Sequence, residues 1–399
     1  MKKQNRFSYF LIYILSLFFL DVTESYSQVV VIPRDGFPYC EPFTTNSPRA
    51  YTVFDGIPRS AVLTGGSTEP NGFGVLQLTP DEEDQRGWVF VDLPFSSSYG
   101  IKTSFEYFAY GNNSLAEKAD GFSFFLFDGS IDSTSFEIGG LGGSLGYSPN
   151  RSTGDNATFG GGYGLKGAYM GIGLDSYGNW GNHYEGRYGG FAEIPPSPYA
   201  YGSGLPSGSF PRYPNSIAIR GPVDALDVNR DNGMSGRGTG FPTLFPPQPD
   251  PGYRSYPFID GKIVFNDPSD GGPFTGLSPS FFLDPDKRFT IASASNTRVT
   301  DCSQDGYRKV FIDLKPNGAG SYTISMSILA TFGGVRQVVD IFDEVPYPYP
   351  APQNLKVGFA AATGAFKNRH EIRNVTVEVS SIDPALAPNP PNLEEAVCF

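Results

Sequence analysis

An all-β chain, many short strands packed as a sandwich or barrel, is what the sequence predicts, and three features predict it. Charged residues make up only 18% of the chain while aromatics reach 15%, and turn formers are abundant, with 49 Gly and 35 Pro. Short apolar runs recur between Gly/Pro punctuation, several of them alternating. No segment carries a helical period with caps. The 399 residues suffice for one large β domain or two ordinary ones. Disorder is excluded, because disordered chains are poor in aromatics.

The elements follow in order. "GVLQLTP" (Gly74 to Pro80), "GWVFVDLPF" (Gly87 to Phe95), "IKTSFEYFAY" (Ile101 to Tyr110) and "DGFSFFLFDG" (Asp120 to Gly129) read as strands. "GIGLDSYGNW" (Gly171 to Trp180) opens as a buried strand and then places Asp175, Tyr177 and Asn179 at alternate positions. From about 187 to 279 the chain is rich in Pro, Gly, Tyr and Ser, which predicts long surface loops inserted into the sandwich, with "NSIAIRG" (Asn215 to Gly221) as one strand inside them. "YRKVFIDL" and "SYTISMSIL" are two strands joined through "KPNGAG", whose Asn-Gly pair signals a turn. In the second of them Tyr322, Ile324, Met326 and Ile328 face one side and Thr323, Ser325 and Ser327 the other. "LKVGFAAATG" and "EIRNVTVEV" complete the set, the latter with Val375, Val377 and Val379 alternating.

The ends read differently. Lys2, Lys3 and Arg6 precede the apolar run Phe7 to Leu20, which is shorter than the roughly 20 residues a membrane-spanning helix needs. With small residues at Ser25 and Ser27, residues 1–27 read as a secretory signal cleaved near Ser27-Gln28. The protein is therefore expected to be secreted or held at a cell surface, with no membrane insertion after cleavage. Residues 383–399 read as a Pro-rich tail or linker. Cys40, Cys302 and Cys398 form neither a disulfide framework nor a zinc spacing; in an exported chain Cys40 and Cys398 are one candidate pair. A net charge of -12 disfavours nucleic acid and anionic membranes, and is compatible with neutral ligands and divalent cations.

The Asp175, Tyr177, Asn179 pattern suits a hard cation, since Ca²⁺ takes six to eight oxygens from carboxylates, backbone carbonyls and amide carbonyls. Asp and Asn are equally ordinary turn residues. Three further segments bear on the choice: "ADGFSFFLF", "GGLGGSLGY" (Gly139 to Tyr147) and "VGFAAATGAFKNRHEIRNVTV" (Val357 to Val377). Together with "IGLDSYGN", and in this order, they resemble the L-type lectin family, which includes legume seed lectins and animal cargo lectins. The resemblance covers most of residues 28–382 outside the central insertions.

It implies a concanavalin-like jelly-roll sandwich of two large antiparallel sheets with long loop insertions. It implies calcium-dependent binding of a glycan or polysaccharide; with the signal segment, the low charge and the Pro-rich end, the expectation is a bacterial surface or secreted adhesin-like lectin. Asp120 would accept hydrogen bonds from two adjacent hydroxyls, charge-assisted and therefore strong. Gly143 would donate its backbone N–H, and Asn179 its amide N–H while its oxygen holds the ion. Ala365 and Phe366 would add contacts that set sugar preference, and the Ala119-Asp120 peptide would be cis. The implied Ca²⁺ ligands are Asp175, Tyr177 and Asn179, with Glu185, Asn182 or water completing the shell. Gly173 and Asn215 stand where plant members carry a Glu and a His for a second, transition metal, so none is expected here.

Other readings are weaker on the residues. A glycoside hydrolase needs two carboxyls about 5 Å apart for retention and somewhat more for inversion, and no strand carries acids in such a run. "DEED" (Asp81 to Asp84) reads as a solvated loop cluster, and "DVNRDNG" (Asp227 to Gly233) as a solvated turn whose Gly falls one place late for an EF-hand. No Gly-x-Ser-x-Gly elbow accompanies His183 or His370. A structural surface protein that has lost sugar binding remains the third reading.

Overall fold

Two antiparallel eight-stranded sheets pack face to face in the computed structural model. It describes residues 36–111, 114, 117–150, 164–182, 187–192, 212–223, 255–266, 274 and 276–380. All of these belong to the unit Ile32–Phe399. The expected signal segment, His183, Glu185, the expected Asp227 to Gly233 turn and the Pro-rich stretch with Cys398 lie outside the described residues.

In chain order the strands are β1 (Tyr39–Glu41), β2 (Thr52–Ile57), β3 (Val62–Leu63), β4 (Leu76–Thr79), β5 (Arg86–Val91), β6 (Phe95–Ser96), β7 (Gly100–Tyr110) and β8 (Gly121–Asp128). They continue as β9 (Ala168–Asp175), β10 (Ser216–Arg220), β11 (Phe258–Ile263), β12 (Arg308–Pro316), β13 (Tyr322–Phe332), β14 (Val335–Pro346), β15 (Asn354–Ala362) and β16 (Arg369–Ser380). The first sheet runs β14-β13-β12-β7-β16-β4-β3, with β1 on β16; the second runs β11-β10-β9-β8-β15-β5-β2, with β6 on β15. Neighbours such as β7 and β16, or β8 and β15, are far apart in sequence, so the sheets close only when the two ends of the chain meet.

Side-chain alternation assigns the faces. Tyr322, Ile324, Met326 and Ile328 of β13 enter the core between the sheets, as do Val375, Val377 and Val379 of β16. The Asn-Gly turn holds through Asn317, whose side-chain oxygen accepts the N–H of Ala319 and Ser321 at 3.0 and 3.2 Å. β8 departs from alternation for a reason: Phe122, Phe124 and Leu126 fill the inter-sheet core while Phe125 and Phe127 fill a second cluster. That cluster holds Trp88, Phe90, Tyr147, Trp180, Phe191 and Tyr256, so loops cover the outer face of the second sheet and both faces of β8 are apolar.

Three expectations are corrected. The 187–279 segment is not only surface loop: Phe191, Tyr213 and Tyr256 are buried, and Phe258–Ile263 forms β11, an edge strand paired with β10. Cys302 is disulfide-bonded and Cys40 is free, so the Cys40–Cys398 pairing is not formed. The pleat of β1 turns Tyr39 and Glu41 inward and leaves Cys40 on the other face. The acidic run at 81–84 is not simply solvated, because Asp81 Oδ1 is buried; the run is also tied to the Thr363 loop by Asp84 N–H on the Gly364 carbonyl at 3.1 Å and by Thr363 Oγ1 on the Glu82 carbonyl at 2.8 Å. No helix among the described residues is long and apolar enough to cross a membrane.

His370, buried on β16, shares a 2.7 Å hydrogen bond between its Nδ1 and Thr79 Oγ1, and burial pushes its pKa down to about 3. A ring held neutral when folded, yet titrating near 6.5 when unfolded, stabilises fully above that pH and loses its contribution as pH falls toward the folded value. Between about pH 7 and about pH 5 the wild type should therefore lose roughly 2 kcal/mol relative to His370→Gln. Urea unfolding of both proteins checks this; a pH-independent difference would rule it out.

Candidate functional site

Strand register gathers the candidate residues at one end of the second sheet. Gly121 at the start of β8 sits opposite Asp175 at the end of β9 and opposite Ala362 at the end of β15, and Ser216 of β10 pairs with Asp175. Four loops therefore leave the sheet side by side: Ala119-Asp120, Gly139 to Ser148, Asp175 to Asn182, and Thr363 to Phe366.

Asp120 ties them together through its main chain. The Ala119-Asp120 peptide is cis, as the resemblance implied. Asp120 N–H donates to the Ala362 carbonyl at 3.0 Å, and its own carbonyl accepts from Ser176 N–H, Tyr177 N–H and Ser176 Oγ at 2.9, 3.2 and 2.8 Å. The residue is 3% exposed. Its Oδ2 lies 3.1 and 3.8 Å from where Cβ atoms on Gly364 and Gly142 would stand, so two glycines flank the carboxylate. Gly143 packs so closely on Asn179 that a Cβ there would come within 2.3 Å of the Asn179 Cβ, with the amide Nδ2 at 3.3 Å. Glycine is the one residue that permits this approach. A short 3-10 turn, Gly142–Ser144, presents it, anchored by Gly142 N–H on the Thr363 carbonyl at 3.2 Å and by Ser123 Oγ on the Leu145 carbonyl at 2.7 Å.

Ala365 and Phe366 are exposed at the tip of the last loop, Phe366 by 37%. The Phe366 ring lies 5.2 Å from the half-buried Tyr177 ring, and the Arg212 guanidinium sits 4.2 Å from the centre of that same Tyr177 ring. Burial is the main influence raising the Tyr177 hydroxyl pKa; Arg212 opposes it and the Asp120 charge adds to it. The predicted carbohydrate-binding residues Asp120, Gly143, Asn179, Ala365 and Phe366 are thus on adjoining loops. Sequence reasoning missed the Tyr177 ring and Arg212 beside them.

The predicted metal ligands behave otherwise. Asp175 is fully buried, and its carboxylate folds back onto its own loop. Oδ1 accepts from Tyr177 and Gly178 N–H at 3.0 and 2.7 Å, and Oδ2 from Trp180 N–H at 2.5 Å. Burial pushes this carboxyl up to about 7, against the pull of those three donors and of Arg187. The Asn179 carbonyl accepts from Arg187 Nη2 at 2.8 Å, and Asn182 Oδ1 accepts from the same nitrogen at 3.4 Å. The Asn182 carbonyl accepts from Arg187 Nε at 3.5 Å and from Arg220 Nη2 at 2.6 Å.

A cation needs oxygens turned toward it and no N–H among them. Here the Asp175 carboxylate faces three N–H groups, and both Asn182 oxygens and the Asn179 main-chain carbonyl face guanidinium, so among the described residues Asp175 and Asn182 do not turn oxygens toward a Ca²⁺. That corrects the expectation for Asp175 and Asn182. Where plant lectins would place a further acid, a Cβ on Gly173 would fall 2.5 Å from the indole nitrogen of Trp180, which itself donates to the Ala218 carbonyl at 3.0 Å. Asn215 Oδ1 accepts from Ile291 N–H at 2.7 Å. Arg187, Arg220 and Trp180 were not singled out by the sequence reading; no spacing rule signals that a guanidinium five to eight residues on, or one from β10, will reach these carbonyls.

No protein family model matches the chain, and no curated protein matches it. Among solved structures it is similar to the lectin from Bauhinia forficata in complex with GalNAc, at 15% identity over 86% of this chain and 98% of that one, with a TM-score of 0.39. It is similar to peanut lectin with a 9mer peptide, at 15% identity over 86% and 97%, with a TM-score of 0.41. The exoplasmic/lumenal domain of VIP36 in its Ca²⁺/Man-bound form is similar at 13% identity over 83% and 84%, with a TM-score of 0.39. Likeness at that level says nothing of what this chain binds.

Proposed function

We propose that this chain is a carbohydrate-binding protein of the L-type lectin kind, exported by its N-terminal segment, that holds a saccharide without cleaving it. One observation carries the reading: the Asp120 carboxylate stands between Gly142 and Gly364 while Gly143 rests on Asn179, so acceptor and donor groups adjoin with no side chain at the glycines. Asp120 accepts from sugar hydroxyls, the Gly143 N–H and the Asn179 amide donate to them, and Phe366 offers an apolar face to the ring carbons. A polar ligand is recognised by such a small set of placed groups against a partly apolar surface. Calcium has no part in the reading, because the Asp175 loop does not fit the ion.

A glycan array probed with the purified full chain tests it. Retention of a related set of glycans is expected. No retained glycan, or steady release of reducing ends from a bound polysaccharide, would end the reading. Phe366→Ala should weaken binding of a retained glycan by roughly 2- to 12-fold, the value of about 0.5–1.5 kcal/mol for an aromatic contact. Its thermal midpoint should barely move, since the ring is 37% exposed. Titration calorimetry of both proteins reads the difference.

A further inference from the structure

We infer that Arg187 is a built-in cation for the Asp175 to Asn182 loop, so that the loop is ordered by a guanidinium of the chain itself and needs no divalent ion. The binding half of this inference rests on the carbohydrate reading; the ordering half does not.

Arg187 is 2% exposed, although it lies where the sequence suggested a surface loop begins. Its guanidinium reaches two of the site loops. From the Asp175 to Asn182 loop it takes the Asn179 carbonyl at 2.8 Å, Asn182 Oδ1 at 3.4 Å and the Asn182 carbonyl at 3.5 Å. From the Gly139 to Ser148 loop it takes the Gly143 carbonyl at 3.2 Å, Ser144 Oγ at 3.1 Å and Ser148 Oγ at 3.2 Å. These include oxygen types a calcium ion would use, a backbone carbonyl and an amide carbonyl on the very loop that carries Asp175. A planar fork with five donors can satisfy many acceptors at once, which a lone charge on a flexible stem cannot.

Electrostatics points the same way. A divalent ion added beside a buried guanidinium would meet like charge in a setting with little water to screen it. Gly143 and Asn179, both proposed to touch the ligand, each give a carbonyl to Arg187. Arg187 is thus a positioning residue: it fixes the two main-chain segments from which the donors project.

The test uses the full chain, stripped with a chelator and then titrated with CaCl₂. Thermal midpoints in EDTA and in calcium should coincide, and calorimetry should show no calcium binding. Both measurements work with no glycan in hand, so they decide the matter even if the array retains nothing. A calcium-dependent rise in midpoint, or saturable calcium binding, would overturn the inference. Where a glycan is retained, its affinity should be equal in EDTA and calcium. Arg187→Lys, which keeps the charge and loses the fork, should fold yet bind that glycan more weakly by roughly tenfold or more. Arg187→Gln should lower the midpoint further. Should Arg187→Gln fail to fold, the lysine variant still reads out; a lysine variant with wild-type midpoint and wild-type glycan affinity would remove Arg187 from the role.

Discussion

Arg220→Leu is expected to lower the free energy of unfolding by about 3–5 kcal/mol, because several buried carbonyls lose their donor at about 1–3 kcal/mol each and relaxation recovers part of that. Arg220 ends β10 and is wholly buried. Its guanidinium donates to the Trp180 carbonyl from Nε and Nη2 at 2.9 and 2.6 Å, and to the Asn182, Gly189, Tyr188 and Tyr256 carbonyls at 2.6, 3.2, 3.2 and 2.8 Å. It also lies 5.6 and 5.9 Å from the centres of the Trp180 and Phe258 rings. Leucine fills much of the stem but leaves those carbonyls facing nothing. Each orphaned acceptor costs about 1–3 kcal/mol, and relaxation or entering water recovers part of the sum. The loss should be local as well as global: the loop of Trp180 to Gly189 would loosen, and the near-ultraviolet signal of Trp180 would weaken before the sheets melt. Urea unfolding followed at both wavelengths checks this. A loss under about 1 kcal/mol would mean that packing of Trp180, Tyr147 and Tyr256 holds the covering loops without Arg220.

The same residues show what a sequence can and cannot disclose. β13 and β16 were legible because one face of each is core and the other is not, so Tyr322 to Ile328 and Val375 to Val379 alternate. β8 was legible as a strand but not as to why it is apolar throughout; that depends on a second cover supplied by residues distant in the chain, such as Trp180 and Tyr256. β14 was missed because an edge strand with Glu344 exposed and two register shifts against β13 does not keep a clean period. β11 was missed because it lies within Pro- and Gly-rich sequence and finds its partner only in β10.

The site divides in the same way. The resemblance put Asp120, Gly143, Asn179 and Phe366 on loops that the strand register brings side by side, and Gly143 has a backbone reason, since a loop that approaches Asn179 so closely can only carry glycine. Whether the loop takes an ion was not legible. Asp175, Tyr177 and Asn179 at alternate positions are as good a fold-back turn as a cation loop, and the difference lies in whether an N–H or an ion faces the carboxylate. Here Tyr177, Gly178 and Trp180 turn their N–H groups inward. Which of the two forms is a matter of three dimensions, where Arg187, just past the loop, and Arg220, from β10, take its carbonyls.

Asp120→Ala is expected to reduce glycan affinity by roughly 100-fold or more, with the fold intact. Two charge-assisted hydrogen bonds, at about 1.5–3 kcal/mol each, account for a loss of that order. The main-chain ties of residue 120 to Ala362, Ser176 and Tyr177 are kept by alanine. Asp120→Asn separates charge from shape. It keeps one oxygen in place of the carboxylate, removes the charge, and brings an amide between Gly142 and Gly364, where the wild type has an acceptor. If charge-assisted acceptance is what binds, asparagine should lose most of what alanine loses; if the carboxylate merely fills space, asparagine should bind as wild type. Calorimetry with a glycan retained by the wild type distinguishes the two. Unchanged affinity in the alanine variant would place the ligand elsewhere on the protein, because no other acid shares the position between those two glycines among the described residues.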